Sequence, residues 1–116
     1  MIRVKILNQT KNTTIAQEAV AAYSPLTRIK GLLGKKTLKK HHALILKPCN
    51  SIHTFFMQFP IDALFVDKNK IVVALLPGLK PFCFSRAYFK AQCVIEMPAG
   101  TIAETATAVG DILAFV

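Results

Sequence analysis

Residues 61–76 read IDALFVDKNKIVVALL, two apolar runs on either side of the polar turn DKNK. Short apolar runs bounded by turn residues are typical of paired strands, so the pattern predicts a β-hairpin. In the first run, both faces of the expected strand are apolar except at Asp62. Because such a strand is covered on both sides, we expect the Asp62 side chain to be at least partly buried.

Further short strands flank this hairpin along the chain. They are predicted at residues 2–7, 14–23, 43–47, 51–57, 92–97 and 112–116. Residues 14–23 are rich in alanine and also suit a helix, but we favour a strand there. Residues 77–91 contain two prolines and three phenylalanines, and they predict an irregular loop that packs over the rest of the domain.

Two short helices complete the prediction. The first covers residues 24–34, where Ser24 can cap the N-terminus, Pro25 suits the first helical position and Gly34 suits a left-handed end. The second lies within residues 98–111, after the turn PAGT. The pattern as a whole is one of many short strands with one or two short helices.

Length and composition indicate one folded domain spanning residues 1–116. A hydrophobic share of 53% argues against disorder, and no apolar run reaches the roughly 18 to 20 residues that a membrane-spanning helix needs. The start MIRVKILN lacks the apolar stretch of a signal peptide. We therefore expect a cytoplasmic protein, or an exported one if a leader has been removed from the natural chain.

The three cysteines, Cys49, Cys83 and Cys93, are odd in number and irregularly spaced. This is neither the framework of a disulfide-stabilised protein nor the ligand spacing of a zinc site. Each thiol is expected to act as a small buried hydrophobic group in a reduced compartment. The sequence predicts no metal and no cofactor.

His53 and Asp62 are polar groups in an otherwise apolar segment. Burying either group is costly unless it has a partner. Arg28, His53, Arg86 and nearby backbone amides are the candidate partners of the Asp62 carboxylate. Asp62 could simply anchor a loop or cap a turn, or it could belong to a binding or catalytic site.

Three more positions belong to the candidate binding site. Phe55 and Met57 share a strand face with His53, and Glu96 follows Val94 on its face of the strand QCVIEM. A histidine on an apolar face is more often a hydrogen-bonded core residue than a ligand-binding one. Each of these polar groups could therefore have a purely structural role instead of a binding role.

Cys49 is the candidate nucleophile if the protein is an enzyme. It stands four residues before His53, but a Cys–His dyad needs contact in space, which this spacing along an extended strand does not supply. His41 and His42 lie in a lysine-rich connector and are expected to be solvated.

The net charge is +9, from 15 Lys and Arg against 6 Asp and Glu. Lysines dominate, which indicates general attraction to polyanions more than readout by the planar fork of arginine. The densest basic cluster comprises Lys35, Lys36, Lys39 and Lys40. It is most simply a solvated surface, or else a contact for nucleic acid or an anionic membrane. The chain has no aromatic RNA-binding signature.

Several motifs in residues 24–115 resemble the domain-of-unknown-function 192 family of small prokaryotic proteins. They are RIKGLLG, CNSIHTFFMQFPIDALFVD, KIVVALLPGLKP, VIEMPAGT and VGDIL, in that order. The resemblance implies a compact α+β domain with a strongly curved mixed β-sheet or small partly closed barrel and one or two short helices. It implies no reaction and no catalytic residues. Gln58 and the turn KNK at 68–70 depart from the family's commoner form.

Three functions are compatible with the sequence. The first is a non-catalytic module that binds a small molecule or peptide in a pocket around His53 and Asp62. The second is a hydrolase or acyl-transferring enzyme with Cys49 as nucleophile and His53 or Asp62 as base. The third is an adaptor that binds polyanions through its lysines. We favour the first, with Arg28 or Arg86 as a further polar anchor.

Overall fold

The fold was analysed in a computed structural model, which describes residues 3–22, 38–55 and 57–116. These residues form seven strands and one short helix. The elements are β1 (Arg3–Asn8), β2 (Thr13–Ala22), β3 (His42–Leu46), β4 (Ile61–Val66), β5 (Val72–Leu79), β6 (Cys93–Pro98), α1 (Thr101–Thr105) and β7 (Leu113–Phe115). The predicted hairpin at 61–76 and the strand at 14–23 are confirmed. The predicted helix at 24–34 lies outside the described residues.

The seven strands form one mixed sheet in the order β5-β4-β6-β3-β2-β1-β7. Strands β2 and β3 pair in parallel, and all the other neighbours pair antiparallel. The first and last strands are therefore side by side, and Lys5 and Val116 exchange two backbone hydrogen bonds of 2.8 and 2.9 Å. Nearly all of the regular secondary structure in the described chain is strand, so the expected α+β class is met only loosely.

The sheet curls until its two outer strands meet at one end. Ile71, just before β5, forms an isolated antiparallel bridge with Ile112, just before β7. Val72 donates a backbone hydrogen bond of 2.9 Å to Asp111, and Leu113 donates one of 2.8 Å to Lys70. The sheet is therefore a half-barrel, and the predicted strong curvature is confirmed.

Both faces of the sheet are covered by apolar side chains, as β4 illustrates, because all six of its residues are buried. Side chains inside the curl form an inner core that includes Ile6, Ile15, Ala19, Ile45, Leu64, Val66, Val72, Ile95, Met97 and Leu113. Side chains on the opposite face form an outer core that includes Leu44, Leu46, Ile52, Met57, Ile61, Ala63, Phe65 and Val94. Alternate residues of β4 thus enter different cores.

Two chain segments that lie side by side cover the outer core, and we call residues 50–55 and 80–88 the strap. The Thr54 amide donates to the Cys83 carbonyl at 2.7 Å, and the Ser85 amide donates to the Ile52 carbonyl at 2.8 Å. His53 and Phe84 form the antiparallel bridge between these bonds. The expectation that residues 77–91 pack over the domain holds here. Of the strand predicted at residues 51–57, the described residues 51–55 form only this bridge and no regular strand.

Helix α1 is a single short turn at the end of β6. Gly100 precedes it with a φ of 99°, and Ala106 ends it with a φ of 54° in the left-handed region. Across the described ranges, no helix has both the length and the apolar character needed to cross a membrane.

Candidate functional site

The Asp62 carboxylate accepts hydrogen bonds from backbone amides on the inner side of the curled sheet. One oxygen accepts a hydrogen bond of 2.8 Å from the Gly78 amide. The other accepts hydrogen bonds of 3.1 Å from Gly100 and 2.8 Å from Ile102. The side chain is buried, and three N–H donors satisfy it without a cation. Asp62 thus anchors the end of β5 to the start of α1, the structural role considered from the sequence.

His53 lies on the other side of the sheet and is exposed. Its ring stacks on Phe55, with 5.3 Å between centroids and 28° between planes. Asp62 lies on the inward side of β4, the side that Leu64 and Val66 also occupy. His53 belongs to the strap over the outer face. The structure therefore separates the two groups that the first hypothesis from the sequence assigns to one pocket.

The other predicted site residues are dispersed. Met57 is buried in the outer core, and Glu96 is buried on β6, where burial raises the pKa of its carboxyl group to about 7. Arg28 lies outside the described residues, as do the basic residues at 35 and 36. Lys40 is exposed, with its Nζ 3.9 Å from a Glu104 carboxylate oxygen, so this part of the basic cluster is solvated.

The contact of Cys49 does not provide a base for nucleophilic catalysis. Its Sγ donates a hydrogen bond of 3.0 Å to the Ser51 carbonyl oxygen. A carbonyl oxygen does not take up the proton of a thiol, so this bond does not generate a thiolate. Within the part of the chain that the structure describes, no three His, Cys, Asp or Glu side chains come together as metal ligands.

The outward side of the strap carries a row of alternating exposed residues. Lys80, Phe82, Phe84 and Arg86 are exposed, and the residues between them are half-buried. Phe82 and Phe84 keep 67% and 73% of their surface accessible. Most phenylalanine side chains of a stable domain are buried, so two such exposed rings on neighbouring outward positions mark a candidate contact surface.

The opposite segment of the strap presents its own outward side chains in register with this row. His53 and Phe55 are exposed, whereas Ile52 and Thr54 between them are buried. The ring of Phe55 meets the ring of Phe84 edge-on, with 6.1 Å between centroids and 72° between planes. We call the four rings of His53, Phe55, Phe82 and Phe84 the aromatic face.

Buried contacts beneath the aromatic face hold it in place. The Thr54 hydroxyl donates to the Lys80 carbonyl and accepts a hydrogen bond of 3.0 Å from the Cys83 amide. The Ser85 hydroxyl accepts a hydrogen bond of 3.0 Å from the Ile52 amide. The two segments are thus fixed side by side, and the rings above them are pre-positioned.

Cations stand at both ends of the row. Lys80 precedes the two phenylalanines and Arg86 follows them. The Arg86 guanidinium lies over the Tyr88 ring at 5.1 Å, and the Tyr88 ring packs 4.5 Å from that of Phe65 in the outer core. The arrangement can stack planar groups on rings and attract negative charge on either side of them.

Lys80, Phe82 and Phe84 are not among the site residues predicted from the sequence, although their spacing carries a signal. In KPFCFSR, residues 80–86, cations and aromatic rings occupy every second position. That period is typical of an extended segment with one side exposed. The prolines at 77 and 81 favoured an irregular loop instead, and the pairing with residues 51–55 depends on contacts far apart in the chain.

Residues 6–115 match the family model DUF192, described as an uncharacterized ACR. Two relatives are archaeal. The UPF0127 protein PF1050 of Pyrococcus furiosus is 33% identical over 111 residues, covering 91% of this chain and 93% of its own length. The UPF0127 protein PH1112 of Pyrococcus horikoshii is 34% identical over 100 residues, covering 82% and 84%.

Two crystal structures share the fold. One is a protein of Sinorhizobium meliloti 1021 provisionally described as a transcription regulator, with a TM-score of 0.81 and 20% identity, covering 97% of this chain and 92% of that one. The other is a protein of unknown function from Novosphingobium aromaticivorans DSM 12444, with a TM-score of 0.83 and 18% identity, covering 97% and 84%. At these identities the likeness concerns the fold alone.

Proposed function

The chain belongs to the uncharacterised DUF192 family, and from that premise we propose that it is a non-catalytic binding module that holds single-stranded nucleic acid on its aromatic face. The observation that carries the proposal is the row of exposed residues at every second position from Lys80 to Arg86, two phenylalanines with a cation before and after them. The non-catalytic class is the one favoured from the sequence, whereas a nucleic-acid ligand belongs to the polyanion-binding alternative instead of the favoured small molecule or peptide. The location of the proposed site is the solvent side of the strap instead of a pocket between His53 and Asp62.

Stacking supplies the first part of the interaction. A nucleobase presents a flat π-surface, and stacking on an aromatic side chain is worth about 1 to 3 kcal/mol per base. Phe82 and Phe84 are accessible enough to receive bases without any rearrangement of the strap. Since every base can stack, we expect little sequence preference.

Charge supplies the second part. Lys80 and Arg86 are exposed like the two phenylalanines and stand two residues before and two residues after them, so a strand that crosses the rings has a cation near each end of its path. The net charge of +9 adds a general attraction to any polyanion. Binding should therefore weaken as salt rises.

An anionic membrane is the rival occupant, because exposed phenylalanines next to cations also suit a bilayer surface. Two observations favour nucleic acid. The Phe55 ring contacts both the His53 ring and the Phe84 ring, so these three rings form one platform with stacked and edge-on contacts. The polar imidazole of His53 lies within that platform, where insertion into the acyl region would be costly.

The direct test is binding of a fluorescent oligothymidylate of about 12 nucleotides, a length within the range for small single-strand-binding domains. We expect Phe84→Ala to raise the dissociation constant about fivefold or more, the low end of one lost stacking contact. Val116→Ala is the matched control, because Val116 is exposed on β7's side of the sheet and outside the strap.

Two results would contradict the proposal. One is an absence of binding to oligothymidylate or oligouridylate at low ionic strength. The other is binding to vesicles of phosphatidylglycerol that depends on Phe84, combined with oligonucleotide binding that does not. The second result would assign the aromatic face to a membrane surface.

A further inference from the structure

We infer that the same nucleic-acid strand continues past Arg86 into a basic groove beside Ala91 and Gln92, where the Phe89 ring forms a further base-stacking subsite. This inference rests on the proposed function and extends its footprint. Two adjoining concavities form the groove, with volumes of about 420 and 320 Å³. Ala91 and Gln92 line both of them, so the two adjoin at these residues.

The groove begins where the strap ends. The Tyr88 amide donates to the Asn50 carbonyl at 2.8 Å, and the Ala91 amide donates to the Tyr88 carbonyl at 2.8 Å. The Cys49 amide then donates to the Gln92 carbonyl at 3.0 Å. Arg86 is only two residues from Tyr88, so it stands between the aromatic face and the groove.

The chemistry of the groove repeats that of the aromatic face. Lys47 lines the first concavity, and Lys68 and Lys90 line the second. Phe89 lines the second concavity and keeps 85% of its surface accessible. The side chains of Asn50 and Gln92 add polar groups that can donate to phosphate or base oxygens.

The groove also contains one carboxylate, that of Asp67, which accepts hydrogen bonds within the turn that follows β4. Its Oδ1 accepts hydrogen bonds of 2.8 Å from the Asn69 amide and 3.0 Å from the Ile71 amide. The carboxylate is thus engaged by the turn between β4 and β5. Three lysines against one engaged carboxylate leave a positive surface that complements phosphates.

The groove has a feature that a solvated lysine surface does not require, the accessible ring of Phe89 beside two lysines. A free phosphate ion would use only the lysines. A polynucleotide would use the lysines and the ring together, with its base on Phe89 and its phosphates on Lys68 and Lys90. The order along the strand would be the aromatic face, Arg86 and then the groove.

Oligothymidylates of two lengths test this order. An oligomer of about 4 nucleotides should occupy the aromatic face alone, and one of about 12 should reach the groove as well. We expect Phe89→Ala to weaken binding of the longer oligomer about fivefold or more and to change binding of the shorter one less than about twofold. Phe84→Ala should weaken both.

Charge variants give a second readout. Lys68→Gln together with Lys90→Gln should lower the salt dependence for the longer oligomer only. Lys5→Gln is the matched control, because Lys5 is exposed on β1. All of these positions are on the surface, so the variants should fold normally.

Different results would contradict the groove subsite and the proposed function. If Phe84→Ala weakens both oligomers and Phe89→Ala weakens neither, the groove subsite is wrong and the proposed function stands. Equal losses for both lengths with Phe89→Ala would contradict the proposed order of the subsites. If neither oligomer binds, the proposed function itself is wrong.

Discussion

The Asn8 side-chain amide donates a hydrogen bond of 2.8 Å to the Asp111 carboxylate, linking the first strand to the turn before the last. Lys11 contributes its ammonium group at 2.9 Å, and the Ala108 amide donates to the same carboxylate at 2.9 Å. The Asn8 bond, followed by the contacts of Lys11 and Ala108, lowers the pKa of Asp111. This cluster fastens the half-barrel at the point where its outer strands meet.

Asn8→Ala should lower the free energy of unfolding by about 1 to 3 kcal/mol, because it leaves part of a buried acceptor network unsatisfied. Urea denaturation measures the effect, and Gln9→Ala is a control at an exposed neighbouring position. Since the pKa of folded Asp111 lies below its ordinary 3.8, its stabilising contribution is present above that pH and is lost as the pH falls through the folded value. An unchanged unfolding curve at neutral pH would show that the cluster is dispensable.

Asp62→Ala should destabilise the fold by about 3 kcal/mol or more, because three backbone donors lose their charged acceptor. Asp62→Asn should cost less, since the amide retains one acceptor oxygen. Thermal unfolding of both variants checks the order. If instead Asp62→Asn left stability unchanged and abolished oligonucleotide binding, Asp62 would be a ligand-binding group after all.

Glu96→Gln should remove a pH dependence from stability. Burial raises the pKa of the folded carboxyl group from 4.5 to about 7, so the folded chain retains a proton that the unfolded chain has released. Stability therefore falls as the pH rises from about 4.5 to 7, by about 3 kcal/mol in total, and stays reduced above pH 7.

The variant should thus be more stable than the native chain at pH 8 and nearly equal to it at pH 4.5. Urea denaturation at both pH values measures the difference. Glu104→Gln is the control, because that carboxylate is exposed. Parallel stability profiles for the native chain and Glu96→Gln would mean that the buried carboxyl group does not titrate as stated.

Cys93 should resist alkylation in the folded protein, because burial raises the pKa of its thiol to about 11. At pH 8 the fraction of reactive thiolate is then very small. Mass spectrometry after iodoacetamide treatment should find the half-buried Cys49 and Cys83 labelled first and Cys93 labelled only in urea. Early labelling of Cys93 without denaturant would contradict the burial.

Arg86→Gln should reduce the slope of log K against log salt by about 0.7 for single-stranded DNA, the effect of one lost phosphate contact. The Arg86 guanidinium is held over Tyr88, so it is positioned before any ligand arrives. Salt titrations by fluorescence anisotropy measure the slope. A slope identical to that of the native chain would place Arg86 outside the binding surface.

Local patterns in the sequence were sufficient to place the seven strands of the sheet, but they also predicted a strand at 51–57 where the described residues form only a bridge. The hairpin at 61–76 follows from two apolar runs and a polar turn, and the strand favoured over a helix at 14–23 corresponds to β2. The curvature was expected from the family resemblance and not from periodicity. The closing bridge between Ile71 and Ile112 depends on the positions of two distant strands, which local pattern does not specify.

The candidate site was predicted less well because the polarity of a residue does not indicate on which face of the sheet its side chain lies. Asp62 and His53 are close in sequence, but the sheet lies between them. His53 and Phe55 were singled out from the sequence, and both lie on the proposed surface. Their partner Phe84 was passed over because its segment lacked the composition of a strand, and the pairing with His53 that exposes it is a tertiary contact.

The pairing of β1 with β7 also constrains how the molecule is made. Its strands join residues from opposite ends of the sequence, and contacts of such long separation slow folding to about the millisecond-to-second range for domains dominated by them. During synthesis, β1 has no partner on that side until β7 has left the ribosome. The half-barrel is therefore completed after translation of its last strand. Until then, the backbone N–H and C=O groups along this edge of β1 have no strand to pair with.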